Sequence, residues 1–205
     1  MATAGVPLAK AGAAMLMTHG RGATAGSILE LAAAFDPGGV AYLAPQAAGN
    51  TWYPQSFLAP LAANEPWLSS ALAFLGAVLE QVRAAGIPDE RTVLLGFSQG
   101  ACLTLEFTAR NARRYGGVVG LTGGLIGPPG TPRSYPGRLD GAVVFLGCSD
   151  RDPHVPEARV HETEQVLARM GAEVTTRIYP GMGHTVNEDE VAWVRRLLET
   201  VVAGQ

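Results

Sequence analysis

Charged side chains are scarce in this chain of 205 residues: Asp, Glu, Lys and Arg make up 16%, and the formal net charge at pH 7 is −3. Such a balance offers no basic field for a phosphate backbone, so we expect no nucleic-acid partner. Hydrophobic residues reach 47%, which is typical of a compact globular protein. Residues 1–205 are predicted to form one domain that buries its core without metal or disulfides.

Cysteine is nearly absent, and the two residues present, Cys102 and Cys148, provide no disulfide framework. Cys102 is predicted to pack in the core. Cys148 follows a predicted strand and either lies near a site or, as we favour, is a buried inert thiol. A run of about 18 or more apolar residues is also missing, so we expect no transmembrane span and no stable membrane insertion. We predict no signal peptide and a reducing, cytoplasmic setting.

Glycine and proline are abundant instead, with 26 and 14 residues, as expected of many tight turns. Short apolar runs predict buried strands at 13–17, 40–44, 93–95, 117–121, 142–146 and 174–179, with a possible edge strand within 1–12. Helices are predicted at 27–35 (with Ser27 as its cap), 65–85, 101–115, 157–170 and 187–202. This alternation predicts an α/β fold, a mostly parallel doubly wound sheet, and the Pro/Gly-rich stretch 127–138 is predicted to be a surface loop rather than a cap domain.

The segment 96–100, Gly-Phe-Ser-Gln-Gly, is a G-x-S-x-G motif between a predicted strand and a predicted helix. At a very tight strand-to-helix turn a serine is pushed out above the sheet on strained backbone, and the flanking glycines leave room for that backbone. The amide that follows lies at a helix N-terminus, where it stabilises negative charge. The motif alone is weak, but this context favours Ser98 as a nucleophile over an accidental turn.

A serine hydroxyl needs a neighbouring base to take its proton, and four histidines are available. His184 follows the last predicted strand in a Gly-rich loop and is predicted to be the base. His161 lies in a charged helix and is expected at the surface, while His154 is expected at the mouth of the site. His19 is more typical of a structural hydrogen-bonding residue at a strand end.

The base in turn needs an acid to hold its tautomer, and Asp150 and Asp152 compete for that role. Asp152 stands a few residues after a predicted strand and can point back towards the site, whereas Asp150 is expected to cap its turn locally. We therefore favour Asp152. The order Ser98, Asp152, His184 is the serine–acid–histidine order of α/β-hydrolases.

An oxyanion needs two donors that are already in place. The backbone amide of Gln99 is one candidate, and the amide of Arg21, in the loop after the first central strand, is the other. The glycines on either side of Arg21 allow close approach of the backbone. The Arg21 side chain either meets a substrate carboxylate or reaches water.

Four segments in order along the chain resemble the phospholipase/carboxylesterase family of small α/β-hydrolases, which includes the acyl-protein thioesterases. They are His19-Gly20-Arg21-Gly22, residues 96–100, Asp152-Pro153-His154-Val155-Pro156 and Gly181-Met182-Gly183-His184. The resemblance implies a serine esterase that forms an acyl-enzyme on carboxylic esters or thioesters with this triad, without cofactor or metal. The loop at 47–66 departs from the thioesterase branch and resembles bacterial carboxylesterase-type members, so we expect short or medium acyl chains.

The long loop carries aromatic residues that either wall an acyl pocket or fasten the loop to the core. The candidates for the pocket are Trp52, Tyr53, Phe57 and Met182, with Leu125 and Ile126 as weaker ones. The expected partner is a small-molecule ester, and a homodimer is left open.

A different class is a dinucleotide-binding protein, because the segment 20–26 is Gly-rich, follows a strand and opens a helix. The fingerprint also requires an acidic residue at the end of the next strand, which here ends Ala44-Pro45-Gln46. We therefore regard this class as a distant alternative to an acyl thioesterase, a lysophospholipase or, as favoured, a carboxylesterase.

Overall fold

In the computed structural model, which describes residues 1–204, one sheet contains seven strands. They are β1 Ala2–Gly5, β2 Ala13–Thr18, β3 Val40–Ala44, β4 Thr92–Phe97, β5 Gly117–Leu121, β6 Val143–Ser149 and β7 Glu173–Tyr179. Their order across the sheet is β1-β3-β2-β4-β5-β6-β7. β1 is antiparallel to β3 and every other neighbouring pair is parallel, which confirms the predicted fold class.

Helices cover both faces of this sheet. They are α1 Ala25–Leu29, α2 Ala32–Phe35, α3 Trp67–Ala84, α4 Gln99–Arg110, α5 Glu157–Arg169 and α6 Glu188–Ala203. The helices α1, α2 and α6 pack on one face, and α3, α4 and α5 pack on the other. Central strands such as β2 are buried on both faces, which explains why they are continuous apolar runs rather than alternating ones. Within residues 1–204, no helix combines the length and apolar character needed to cross a membrane.

Two of the predicted helices differ in the structure. The helix expected at 27–35 is the pair α1 and α2, and its cap is Thr24 rather than Ser27: the Thr24 side chain accepts from the Ser27 amide at 3.1 Å, and the Ser27 hydroxyl accepts from the Thr24 amide at 3.0 Å. The helix expected to reach Tyr115 ends at Arg110. At its end, the backbone amide and the side chain of Asn111 both donate to the carbonyl of Phe107, at 2.9 and 3.0 Å, and Asn111 leaves the helical conformation with φ −120° and ψ 48°.

The carboxyl ends of the parallel strands lie along one edge of the sheet. Four of them are followed by the chemically active residues of the sequence: His19 after β2, Ser98 after β4, Asp152 after β6 and His184 after β7. Between Leu121 and Val143 the structure has no helix or strand, as the predicted surface loop requires. The edge above β4 is therefore not covered by a cap domain.

Candidate active site

The turn between β4 and α4 has the strained geometry of a nucleophile elbow. Ser98 has φ 55° and ψ −120°, a conformation that non-glycine residues seldom adopt. A Cβ at Gly96 would lie 2.4 Å from the carbonyl oxygen of Gly100, and a Cβ at Gly100 would lie 2.2 Å from that of Thr18. Only glycine fits at both positions, so the motif is required by close backbone approach.

The structure brings Ser98, His184 and Asp152 into one hydrogen-bonded line. The distance from Ser98 Oγ to His184 Nε2 is 2.8 Å, and the distance from His184 Nδ1 to Asp152 Oδ2 is 2.7 Å. The rings of Phe97 and His154 pack against the imidazole, with centroids 5.3 and 4.9 Å away. The three residues predicted for the triad thus meet in space although they come from three separate loops.

The environment of Asp152 favours its ionised form. Burial of the side chain opposes ionisation, but hydrogen bonds from His184, from the His154 amide and from the Val155 amide outweigh it and lower the pKa of Asp152 below its usual value. The two amides donate to Oδ1 at 2.8 and 2.9 Å. Oδ2 is left for His184, so the carboxylate accepts from Nδ1–H and leaves Nε2 free to act as a base.

The sequence led us to expect that Asp150 caps its own turn, but the structure shows a different role. Its Oδ1 accepts from the Gly181 amide at 2.8 Å, 31 residues away. The buried Ser149 makes a second link, since its hydroxyl donates to the carbonyl of Met182. The loop that carries Asp152 is therefore joined directly to the loop that carries His184.

The two amides predicted to hold the oxyanion are both free. Within residues 1–204, neither the Arg21 amide nor the Gln99 amide donates to another group of the protein. Gln99 is the first residue of α4, where amides have no partner inside the helix. Gly20 lets the loop that carries Arg21 lie close to the serine, because a Cβ at Gly20 would lie only 3.3 Å from Ser98 Cβ. The arrangement leaves two donors beside the serine.

His19 is held as a structural residue. Its Nε2 accepts from the Ala47 amide at 3.1 Å, so the proton is on Nδ1, which donates to the carbonyl of Gly20 at 2.8 Å. Burial lowers the pKa of His19, and only the bond to Gly20 opposes that shift. The residue is thereby kept neutral and fixes the loop that carries Arg21.

Several amides of segment 20–26 are used inside the chain. Gly22 donates to the carbonyl of Asn50 at 2.7 Å, and Ala25 donates to the Gln46 side chain at 2.8 Å. The segment therefore does not present the row of free amides that a pyrophosphate requires.

A cavity of about 500 Å³ opens beside Ser98. The side chains that line it include Tyr53, Phe57, Phe97, Cys102, His154 and Val155. Leu125 and Ile126, the weaker candidates, are buried and do not line it.

Two of the residues predicted for the pocket lie elsewhere. Trp52 is 4% exposed, and its indole Nε1 donates to the carbonyl of His19 at 2.8 Å, so it fastens the loop to the core. Met182 does not line the cavity. Its sulfur accepts from Asn187 Nδ2 at 2.9 Å, and its carbonyl accepts from the Ser149 hydroxyl.

Sequence reasoning missed several residues of the cavity wall, among them Phe97, Cys102 and Val155. Cys102 was expected only in the core, yet it stands one helical turn after Ser98 on α4, and that i, i+4 spacing was the available signal. Burial raises the pKa of Cys102 to about 12. Its thiol is therefore a neutral, apolar part of the wall rather than a second nucleophile.

The family model described as Phospholipase/Carboxylesterase matches residues 6–202. The chain belongs to the phospholipase/carboxylesterase family. The crystal structure of a phospholipase/carboxylesterase from Dyadobacter fermentans DSM 18053 is similar to it with 46% identity and a TM-score of 0.93, covering 97% of this chain and 95% of that one. The predicted resemblance is confirmed, as is, at the level of the family, a serine hydrolase of the carboxylesterase type.

More distant proteins resemble the chain in part of its sequence or in fold. An acyl-protein thioesterase 1 from Gibberella zeae is 31% identical over 130 residues, which are 59% of this chain and 52% of that protein. The chain spans about half the length of the curated relatives it matches. Arabidopsis thaliana SOBER1 has the same fold, with a TM-score of 0.77 at 19% identity, and the likeness covers 93% of this chain and 99% of that one.

Proposed function

We propose that the protein is a serine carboxylesterase that hydrolyses short- or medium-chain carboxylic esters through an acyl-enzyme. The observation that carries the proposal is the hydrogen-bonded line Ser98–His184–Asp152 at a cavity with two free backbone amides. A base within 2.8 Å of the hydroxyl and an acid that orients the base are the requirements for activating a serine.

In the acylation half, Ser98 Oγ attacks the ester carbonyl carbon while its proton passes to His184 Nε2. The carbonyl oxygen becomes an oxyanion that accepts from the amides of Arg21 and Gln99. Asp152 stabilises the imidazolium without taking its proton. When the tetrahedral intermediate collapses, Nε2 gives the proton to the leaving alcohol, and the acyl group remains on Ser98.

In the deacylation half, a water replaces the alcohol. His184 Nε2 takes a proton from this water, the hydroxide oxygen attacks the acyl carbon, and the same two amides hold the second oxyanion. Collapse breaks the bond to Ser98 Oγ, which recovers its proton from Nε2. The carboxylic acid leaves and the serine is regenerated.

The size of the cavity favours short or medium acyl groups. Its wall contains the buried residues Tyr53 and Phe57, and the carbonyl of Phe57 is fixed by the Gly127 amide at 2.7 Å. Each methylene buried there contributes about 0.8 kcal/mol. Carbons beyond the wall stay in water and add nothing to binding of the transition state. The likeness to acyl-protein thioesterases supports a second candidate, an acyl thioesterase or lysophospholipase with the same triad.

A chain-length series of p-nitrophenyl esters, from acetate to palmitate, tests this proposal. We expect kcat/KM to rise over the first few acyl carbons and then to level or fall, and we expect Ser98→Ala to lack activity on all of them. Thioesters with the same acyl groups separate the two candidates. A kcat/KM that continues to climb through laurate to palmitate would contradict the short-chain proposal and favour the thioesterase or lysophospholipase.

A further inference from the structure

The Arg21 residue is exposed, yet its guanidinium is bonded to the protein backbone. Its guanidinium donates to three consecutive carbonyls: to Tyr53 at 3.0 Å and Gln55 at 2.6 Å from Nη2, and to Pro54 at 2.9 Å from Nη1. Three fixed carbonyls match the planar fork of donors that only arginine carries. The side chain therefore holds a segment of backbone more than 30 residues away.

The Gln99 side chain holds the same segment from the other side. Its Nε2 donates to the carbonyl of Tyr53 at 2.8 Å, and its Oε1 accepts from the Trp52 amide at 3.0 Å. Gln99 is 5% exposed, so both bonds are shielded from water and are costly to lose. The carbonyl of Tyr53 is thus shared by Arg21 and Gln99.

We call residues 52–57 the wall segment, because Tyr53 and Phe57 within it line the cavity. It contains no helix or strand. Apart from Arg21 and Gln99, its main polar support is the buried Asn64, which accepts from the Gln55 amide at 2.8 Å and donates to the carbonyl of Ser56 at 3.0 Å. Side chains provide most of the polar support of this wall, and the Gly127 amide adds one backbone bond, to the carbonyl of Phe57 at 2.7 Å.

Two of the residues whose side chains hold the wall segment, Arg21 and Gln99, are also the residues whose backbone amides are the proposed oxyanion donors. From this coincidence, and resting on the proposed function, we infer that the side chains of Arg21 and Gln99 couple the acyl pocket to the oxyanion hole. An acyl group that fills the cavity bears on Tyr53 and Phe57, and the contact reaches both donors through the shared carbonyl. Binding energy from the acyl chain is then realised in the transition state, as kcat rather than as KM.

The coupling makes Arg21 and Gln99 positioning residues through their side chains, apart from what their amides do. Substitution of either side chain leaves its backbone amide in place. A displacement of about 1 Å at a reacting centre is enough to cost on the order of a hundredfold in rate. The separation of side chain from amide is what makes the inference testable by substitution.

The test compares Arg21→Met and Arg21→Lys with the control Arg113→Met. Arg113 also donates to a backbone carbonyl, that of Asn111 at 3.3 Å, but it lies beyond the far end of α4. Chain-length series of p-nitrophenyl esters give kcat and KM separately. We expect Arg21→Met to lower kcat about 10-fold to 100-fold on the best acyl group and less on acetate, with little change in KM. Arg21→Lys should recover part of the loss, and Arg113→Met should match the parent enzyme.

The variant Gln99→Glu provides an independent arm. The carboxylate still accepts from the Trp52 amide, but it places an acceptor against the carbonyl of Tyr53. We expect the same flattening of kcat across the acyl series as in Arg21→Met. Thermal unfolding and circular dichroism check that each variant is folded.

Several results would overturn the coupling. If Arg21→Met loses activity only on esters that carry a carboxylate, the side chain binds substrate. If the variant lowers the unfolding temperature but keeps the chain-length dependence of kcat, the bonds from Arg21 to the wall segment are only structural. If the parent enzyme hydrolyses the series and Arg21→Met equals Arg113→Met, the coupling fails while the proposed function stands. A parent enzyme without activity on any ester contradicts both.

Discussion

The serine elbow and the wall segment line the same cavity, but they are held in different ways. At the elbow, Ser98 is fixed by β4, by α4 and by close contacts that only Gly96 and Gly100 allow. The wall segment at 52–57 has no regular pairing and is held chiefly by the side chains of Arg21, Gln99 and Asn64. The elbow is therefore positioned by backbone structure, and the wall segment is positioned mainly by side-chain hydrogen bonds.

This difference separates chemistry from selectivity. Groups that react must be placed accurately, and a strand followed by a helix achieves that with little freedom. A wall held by side-chain hydrogen bonds can be altered one bond at a time without dismantling the sheet. Substitutions at the elbow are therefore expected to abolish turnover, whereas substitutions around the wall segment change which acyl group is preferred or how stable the loop is.

The largest effect is expected at the elbow itself. Ser98→Ala should lower kcat by about 10⁵-fold to 10⁶-fold while the fold is retained, because it removes the nucleophile that His184 activates. Ester hydrolysis and circular dichroism measure the two halves of this prediction. Retention of more than a few per cent of activity would mean that another group attacks the substrate.

The next effect compares the two aspartates of the β6 loop. Asp152→Asn should lower kcat by about 10⁴-fold, because an amide cannot keep His184 in the tautomer that leaves Nε2 basic. Asp150→Asn should be much milder, since its oxygen can still accept from the Gly181 amide. Parallel measurement of kcat for both variants decides the assignment, and a reversed order of effects would show that Asp150 orients the base.

Around the wall segment, Trp52→Ala should act on stability. The buried indole packs on His19, with ring centroids 4.9 Å apart, and its loss should cost about 3–5 kcal/mol of unfolding free energy. We expect activity on all acyl lengths to fall together. Denaturant unfolding and the ester series check this, and a selective change in chain-length preference with unchanged stability would make Trp52 a pocket wall after all.

The smallest effect is expected outside both the elbow and the wall segment, at Glu190 of α6. This residue is 0% exposed, Oε1 has no partner within residues 1–204, and burial raises its pKa to about 7. In the unfolded chain this carboxyl ionises near its ordinary pKa of 4.5. The unfolding free energy that Glu190 contributes below pH 4.5 is therefore lost as the pH rises to about 7.

Glu190→Gln should remove this dependence and raise the unfolding free energy by about 1–3 kcal/mol at alkaline pH, because no buried charge has to form. The amide oxygen can still accept from the Asn187 amide, which caps α6. Unfolding temperatures measured across that pH range test the prediction, with the exposed Glu188→Gln as the control. Identical pH profiles for parent and Glu190→Gln would show that Glu190 ionises normally in the folded state.

The sequence predicts the elbow and the triad residues well. Ser98, Asp152 and His184 each follow a strand, and the carboxyl ends of parallel strands share an edge, so short motifs suffice to bring them together. The bonds between loops escape such reasoning. Arg21 reaches carbonyls more than 30 residues away and Asp150 reaches Gly181, and no local pattern specifies which distant backbone group a polar side chain meets. The same gap explains why the sequence leaves Trp52 and Met182 as candidates for the cavity wall.

The most direct test of Ser98 as the nucleophile is covalent labelling of the parent enzyme with a fluorophosphonate, followed by mapping of the modified peptide by mass spectrometry. The assignment of Ser98 predicts one label per chain, on Ser98, with loss of ester hydrolysis in proportion to labelling. It also predicts slow labelling of Asp152→Asn. Stoichiometric modification of any residue other than Ser98, or full esterase activity after Ser98 is labelled, would contradict it.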